Sequence, residues 1–168
     1  GALSHCPFIM MTEVGSIYLD DDEAANLRNY LLKGGFLWAD DFWGERAWDI
    51  FDSQIHRVLP SGTYPIVDLP LEHPIFHSQM VVTHIPQIPS INFWGGPGGP
   101  TSERGAESRV PHARAILDDH QRVMVFITHN TDVGDSFERE GDSRAYFLEF
   151  SVRGYALGVN VLLYALSH

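Results

Sequence analysis

The sequence predicts a layered α/β domain, and three observations predict it. Short apolar runs (Phe8–Met11, Phe36–Ala39, Val123–Ile127) lack polar alternation, as strands covered on both faces do. Between them lie stretches with apolar residues at i, i+3, i+4, the period of a half-buried helix. Glycine, proline and acidic residues punctuate every junction. Alternation of this kind, over 168 residues and with no internal repeat, reads as one domain, residues 1–168.

In order, Phe8-Ile9-Met10-Met11 is the first strand, followed by a loop at Thr12–Gly15. Asp20, Asp21, Asp22 and Glu23 then open a helix, acids suiting the positive end of its dipole. A calcium loop would alternate its oxygen ligands about a glycine turn, and this run does not. Leu27, Tyr30 and Leu31 mark the buried face of that helix, and Gly34-Gly35 ends it. The strand Phe36–Ala39 follows and stops at Asp40-Asp41. A second helix is predicted over Glu45–Val58, with Ala47, Trp48, Phe51, Ile55 and Val58 as its stripe and Pro60 beyond it. Tyr64–Val67 reads as a short strand, and Leu71–His77 as one helical turn opened by Pro74.

Pro86–Gly105, centred on Gly95-Gly96-Pro97-Gly98-Gly99-Pro100, reads as a surface loop or lid. It is no phosphate cradle, because no helix follows at once and proline lacks the N–H donors such a loop needs. Ala113–Leu117 and Arg122–Thr128 flank the turn Asp118–Gln121, a spacing that demands an antiparallel hairpin. Gly141–Leu166 reads as mostly helix, with Gly154 and Gly158 four apart for a close approach to a neighbour.

The totals remove several function classes. With 22 acids against 11 bases, the formal net charge is -11. No Lys/Arg cluster exists for a nucleic acid, and an anionic membrane surface is disfavoured for the same reason. The apolar stretch Tyr155–Leu166 is too short to span a bilayer, so the chain reads as a soluble piece. One cysteine, Cys6, excludes an internal disulfide, a thiolate zinc cluster and a CxxC pair, but leaves the compartment open. Gly1-Ala2-Leu3 looks like a tag remnant or the edge of an excised segment.

Chemistry is expected where strands end. Asp40-Asp41 and the segment His129–Ser136 both follow buried strands, and open α/β sheets place ligands at such ends. If the two strands are neighbours, Asp40, Asp41, Asp132, Asp135, His77 and His129 share one crevice. Those side chains suit a divalent metal, with Asp40, Asp41, Asp132 and His77 as candidate ligands. They equally suit an acid–base pair whose pKa values are pushed apart. The plainer alternative is that each acid caps a helix or closes an Asx turn. His73 and His77 have the i, i+4 spacing of metal ligands, but Pro74 stands where H-E-x-x-H has its glutamate. Trp43 is the aromatic placed to line the crevice. No G-x-S-x-G occurs, Cys6 lies ahead of the first strand, and the Gly134-Asp135-Ser136 fragment lacks the esterase context, so no activated nucleophile is visible.

Leu27–Leu37 with Asp40-Asp41-Phe42-Trp43-Gly44 resembles the signature of a bacterial domain-of-unknown-function family, number 4159. His73-Pro74-Ile75-Phe76-His77, Asn130–Asp135 and Gly158-Val159-Asn160 with Tyr164-Ala165-Leu166 match its remaining motifs in order. Members of that family begin further upstream, which implies that an N-terminal strand and helix precede this segment. The resemblance implies a flavodoxin-like three-layer sandwich related to the class I glutamine amidotransferase-like folds, with a mostly parallel central sheet and a C-terminal antiparallel hairpin. Those enzymes carry a cysteine on the elbow where this chain has Asp40-Asp41, which argues against glutaminase chemistry. A trehalose-utilisation-type branch is similar in its Gly-Gly strand and His-Pro segment, implying a small polar or carbohydrate-like ligand.

The expected function is a non-catalytic ligand-binding module with a polar crevice framed by Asp40, Asp41, Trp43, His73, His77, His129, Asn130, Asp132 and Asp135. The alternatives are a metal-assisted hydrolase using the clustered Asp and His, and a protein-interaction module of an exported or cell-envelope assembly. No protein partner is identifiable.

Overall fold

Each strand of the computed structural model divides its side chains between two cores. The structure describes residues 6–168. Strand β2 (Phe36–Ala39) sends Phe36 and Trp38 to one face and Leu37 and Ala39 to the other, the period of two that a pleated strand imposes. Helices α1 (Asp21–Leu32) and α2 (Gly44–Val58) cover the second face through Leu27, Leu31, Phe51 and Ile55. The long C-terminal helix α6 (Val152–Ser167) covers the first through Leu157, Val161 and Tyr164.

Five strands form one open, mixed sheet in the order β1-β2-β5-β4-β3. Strand β1 (Phe8–Met11) runs parallel to β2, and β2 parallel to β5 (Val123–His129) with Trp38 beside Phe126. Strand β4 (His112–Leu117) is antiparallel to β5, and β3 (Ile66–Asp68) antiparallel to β4. The expected hairpin is therefore present, but the expectation of a mostly parallel sheet is corrected to a mixed one. The cause is the turn at Asp118–Gln121, too short for a crossover, which feeds directly into the central strand. The register breaks between Ile116 and Leu117, whose partners Val125 and Val123 leave Met124 as an extra residue. Val123 and Phe126 accordingly face one core, while Met124, Val125 and Ile127 face the other.

The element boundaries largely follow the sequence. Asp20 caps α1 in a reciprocal box with Glu23, each side chain accepting from the other's backbone N–H. Gly34 takes the left-handed conformation at φ 102, and Gly35 lies under the Tyr30 ring, where a Cβ would come within 2.4 Å of its carbons. Strand β3 begins two residues later than expected. The turn at Pro74–Phe76 is a 3-10 turn. Helix α6 is preceded by the short helix α5 (Arg144–Tyr146) and one π-helical turn, Phe147–Ser151. Gly154 meets Ser136 and Gly158 meets Phe137 around α4 (Asp135–Glu138), so the small residues do allow a close approach.

Pro86–Gly105 is not a surface loop along its whole length. Its first part lies against the end of β5 with Ile88 buried, and contains a single-turn helix, α3 (Ile91–Trp94), whose Trp94 packs on Tyr146 and Phe150. Backbone pairing explains the burial. Asp132 N–H donates to Ile88 O at 2.8 Å, and Ile88 N–H donates to Thr131 Oγ1 at 2.9 Å. The exposed residues are Asn92 and Phe93, much of the Gly/Pro centre, and Arg104-Gly105 at the end.

Candidate functional site

Because β2 and β5 are parallel neighbours, their ends open side by side, and the acids that follow them meet. Asp40 is fully buried. Its Oδ1 accepts from Thr128 Oγ1 at 2.5 Å and its Oδ2 from Gly134 N–H at 2.8 Å. Thr128 Oγ1 in turn accepts from Trp38 Nε1 at 2.7 Å. Asp40 thus ties the end of β2 to the turn after β5. Burial pushes its pKa up to about 7, against the pull of those two hydrogen bonds.

Asp41 stands beside Asp40 and Asp132 but is less buried than Asp40. It holds φ 56, a left-handed conformation that aspartate tolerates better than most residues, and its carboxylate is half-buried. Trp43 Nε1 donates to Asp41 Oδ1 at 3.2 Å. Burial raises its pKa to about 6, with the charges of Glu103, Glu13 and Asp135 adding to the rise. Asp132 lies behind, 5% exposed, accepting Asp135 N–H at 2.9 Å on Oδ1. Burial, then the charges of Asp41 and Asp40, push its pKa to about 9. Asp132 therefore holds its proton at neutral pH. Asp135 Oδ2 accepts Ile91 N–H at 3.2 Å, and the Arg139 guanidinium stands 3.8 Å from its other oxygen. Glu103 accepts Ser90 N–H at 2.7 Å on the same rim.

The remaining predicted residues divide. Asn130, at φ 61, is structural: its Oδ1 accepts Gly44 N–H at 2.9 Å and its Nδ2 donates to Val110 O. It caps α2, whose own N-cap, Trp43, makes no side-chain cap. His129 faces the α2 side, with Nε2 3.1 Å from Gly44 O and its ring against both Phe42 and Trp48. Burial drives its pKa down to about 4, so the ring is neutral near pH 7. His73 and His77 do not join the crevice at all. Helix α6 runs from Gly154 beside Ser136 down to Tyr164, whose hydroxyl accepts Val123 N–H at the start of β5. The His73 ring packs tilted against Tyr164, 5.6 Å between centroids, so the His-Pro turn sits at the opposite end of the sheet. There His73 Nδ1 accepts Ile75 N–H, and His77 Nε2 lies 2.6 Å from Leu71 O. Spacing in the sequence put two histidines on one turn but could not say which end of the sheet that turn occupies. With His77 elsewhere, the metal set proposed from the sequence is broken. Among the described residues, no three His, Cys, Asp or Glu side chains stand so as to hold one metal ion.

Several participants were missed. Thr128 and Gly134 anchor Asp40, and Glu103 and Glu13 add charge around Asp41. A hollow of about 390 Å³ lies between α2 and the β3–β4 edge, away from the acids, lined by Trp48, Asp52, His56, Asp68 and Arg114 among others. The Arg114 guanidinium sits 4.1 Å above the Trp48 ring and bonds Asp68 at 2.9 Å. A single arginine inside the otherwise apolar run His112–Leu117 was the available signal.

No helix among the described residues is long and apolar enough to cross a membrane. No curated protein matches the chain in sequence. The family model described as a domain of unknown function, DUF4159, matches residues 1–166, and the chain belongs to that family.

Proposed function

We propose that this domain binds a small polar ligand, rich in hydroxyl or ammonium donors, at the carboxyl ends of β2 and β5 and does not catalyse a reaction on it. The observation that carries the reading is the division of labour between the paired acids. Asp40 spends both oxygens on Thr128 and Gly134 inside the protein. Asp41 stays partly open, held by Trp43, with Asp135 and Glu103 on the same rim. A rim of carboxylates over a protonated Asp132 accepts hydrogen bonds from sugar-like hydroxyls or amines and repels anions.

The finer fold reading, a flavodoxin-like relative of the amidotransferase-like enzymes, draws support from the turn between β2 and α2. Asp41 there has φ 56, the strained strand-to-helix turn on which such folds carry a nucleophile. An aspartate bonded to an indole N–H, with no neutral base against it, supports binding over acyl transfer. The metal-assisted hydrolase has the weaker support, since its donors are dispersed.

Calorimetric titration of neutral monosaccharides and of short alkyl diamines tests the proposal. Saturable heat that is abolished in Asp41→Asn, with the melting temperature of the free protein unchanged, is the expected result. Turnover of any bound compound that disappears in Asp41→Asn would overturn the non-catalytic reading. A thermal shift on adding Mg²⁺, Mn²⁺, Ca²⁺ or Zn²⁺, lost in the same variant, would favour the hydrolase.

A further inference from the structure

Helix α6 is apolar on two sides, and among the described residues only one of them is covered. Gly154, Leu157, Asn160, Val161 and Tyr164 are buried against the sheet. On the outward side stand Leu148, Val152, Tyr155, Val159, Leu162 and Leu166, each 39–63% exposed. Their spacings run 4, 3, 4, 3, 4, the repeat with which one helix seats its side chains between those of another. The first of them belongs to the π-helical turn and the rest to α6, so the seam extends for about 27 Å at 1.5 Å per residue. A helix apolar all round is ordinarily buried all round.

We infer that this outward seam is the interface of a twofold dimer, α6 packing on α6 of a second copy of the chain. Area supports a like partner. The six side chains and the neighbouring Leu163 leave roughly 600 Å² open, as large as the biggest patches ordinary monomers expose. Two copies would together bury about 1,200 Å², the lower bound for a specific interface. A twofold axis sets the same patch against itself, so one surface supplies both halves.

Charge supports it too. The protein carries -11 overall, yet the only ionic side chains on the helical segment Phe147–Ser167 are Glu149 and Arg153, one of each sign. Charge at the seam is thereby confined to its margin, where Glu140 accepts from the Tyr155 hydroxyl at 2.7 Å. An interfacial lipid anchor would carry lysine and arginine along its polar margin, and this helix has the single Arg153.

Sedimentation equilibrium on the full chain decides the matter. The expected result is a mass twice the 18.9 kDa of one chain across the micromolar range. Leu162→Glu should halve that mass while far- and near-ultraviolet circular dichroism stay native, because the side chain faces outward. Should that variant lose its fold, Val152→Glu near the other end of the seam provides the same reading. A monomeric wild type overturns the inference, and flotation of that monomer with phosphatidylcholine vesicles would assign the seam to a lipid surface. A dimer that survives both charge substitutions also overturns it, by placing the contact elsewhere.

Discussion

The two ends of the sheet handle polar groups in opposite ways. At the end where β2 and β5 begin, the polar side chains mainly serve the backbone. Arg122 donates to the carbonyls of Leu31, Gly34 and Gly35 at the close of α1, and Tyr30 both donates to and accepts from Phe36. Asp118 in turn bonds the N–H groups of His120 and Arg122, which with the Arg122 side chain beside it pulls its pKa down despite some burial. At the end where β2 and β5 stop, carboxyls gather beyond what the backbone needs, and three have raised pKa values. The first pattern is what stability alone produces. The second keeps charges together at a cost, and sites where environment and charge shift pKa values are where function concentrates.

Breaking each end separately sharpens the contrast. The largest loss is expected from Asp40→Ala, which strands the Thr128 hydroxyl and Gly134 N–H in the interior and should cost about 3 kcal/mol in urea unfolding. Asp40→Asn retains one acceptor oxygen and should lose about half as much. Arg122→Ala at the other end should cost about 2 kcal/mol, since it frees carbonyls that partly reach water.

Acidity separates the ends further. Asp40 and Asp132 hold protons more tightly when folded than in the unfolded chain, where aspartate titrates near 4. Their contribution to stability is whole below about pH 4 and is lost as pH rises through about 7 and about 9. The melting temperature should therefore fall by several degrees between pH 6 and 9, and Asp132→Asn should flatten that fall. Arg122→Ala should leave its slope intact. His129 acts with the reverse sign: its depressed pKa makes its contribution whole above about 6.5 and lost as pH drops through about 4, and His129→Gln should soften that acid limb. The smallest effect belongs to His77→Ala, an exposed side chain on one carbonyl, which should change stability by about 0.5 kcal/mol and ligand binding not at all.

What the sequence disclosed, and what it hid, follows from the range of each interaction. The ends of β2 were legible because four apolar residues stop abruptly at Asp40, and α1 was legible from Asp20 and Glu23 at its start. The hairpin was legible from four turn residues. That its second strand is central was legible too, from the uninterrupted apolar run Val123–Ile127, but its pairing with β2 was not, because β2 lies far away in the chain. Asp40 and Asp41 looked alike in sequence, and only a positive φ between them sends one inward and the other to the rim. His73 and His77 misled because helical spacing is a local signal and the end of the sheet is not. Pro86–Gly105 misled because its composition registered glycine and proline, while its burial depends on Thr131 and Asp132 receiving its backbone.

The pairing of β2 with β5 also sets an order of events during folding. Leu37 lies beside Val125, and all of residues 40–122 must be made before that contact can form. The β4–β5 hairpin needs only its own short turn and can assemble early, but β1 and β2 must wait with their apolar faces uncovered. A chain of this kind is expected to fold slowly for its size, with the Asp40 bond to Gly134 among the last to close. On the ribosome, residues 8–40 would be the segment most in need of a chaperone.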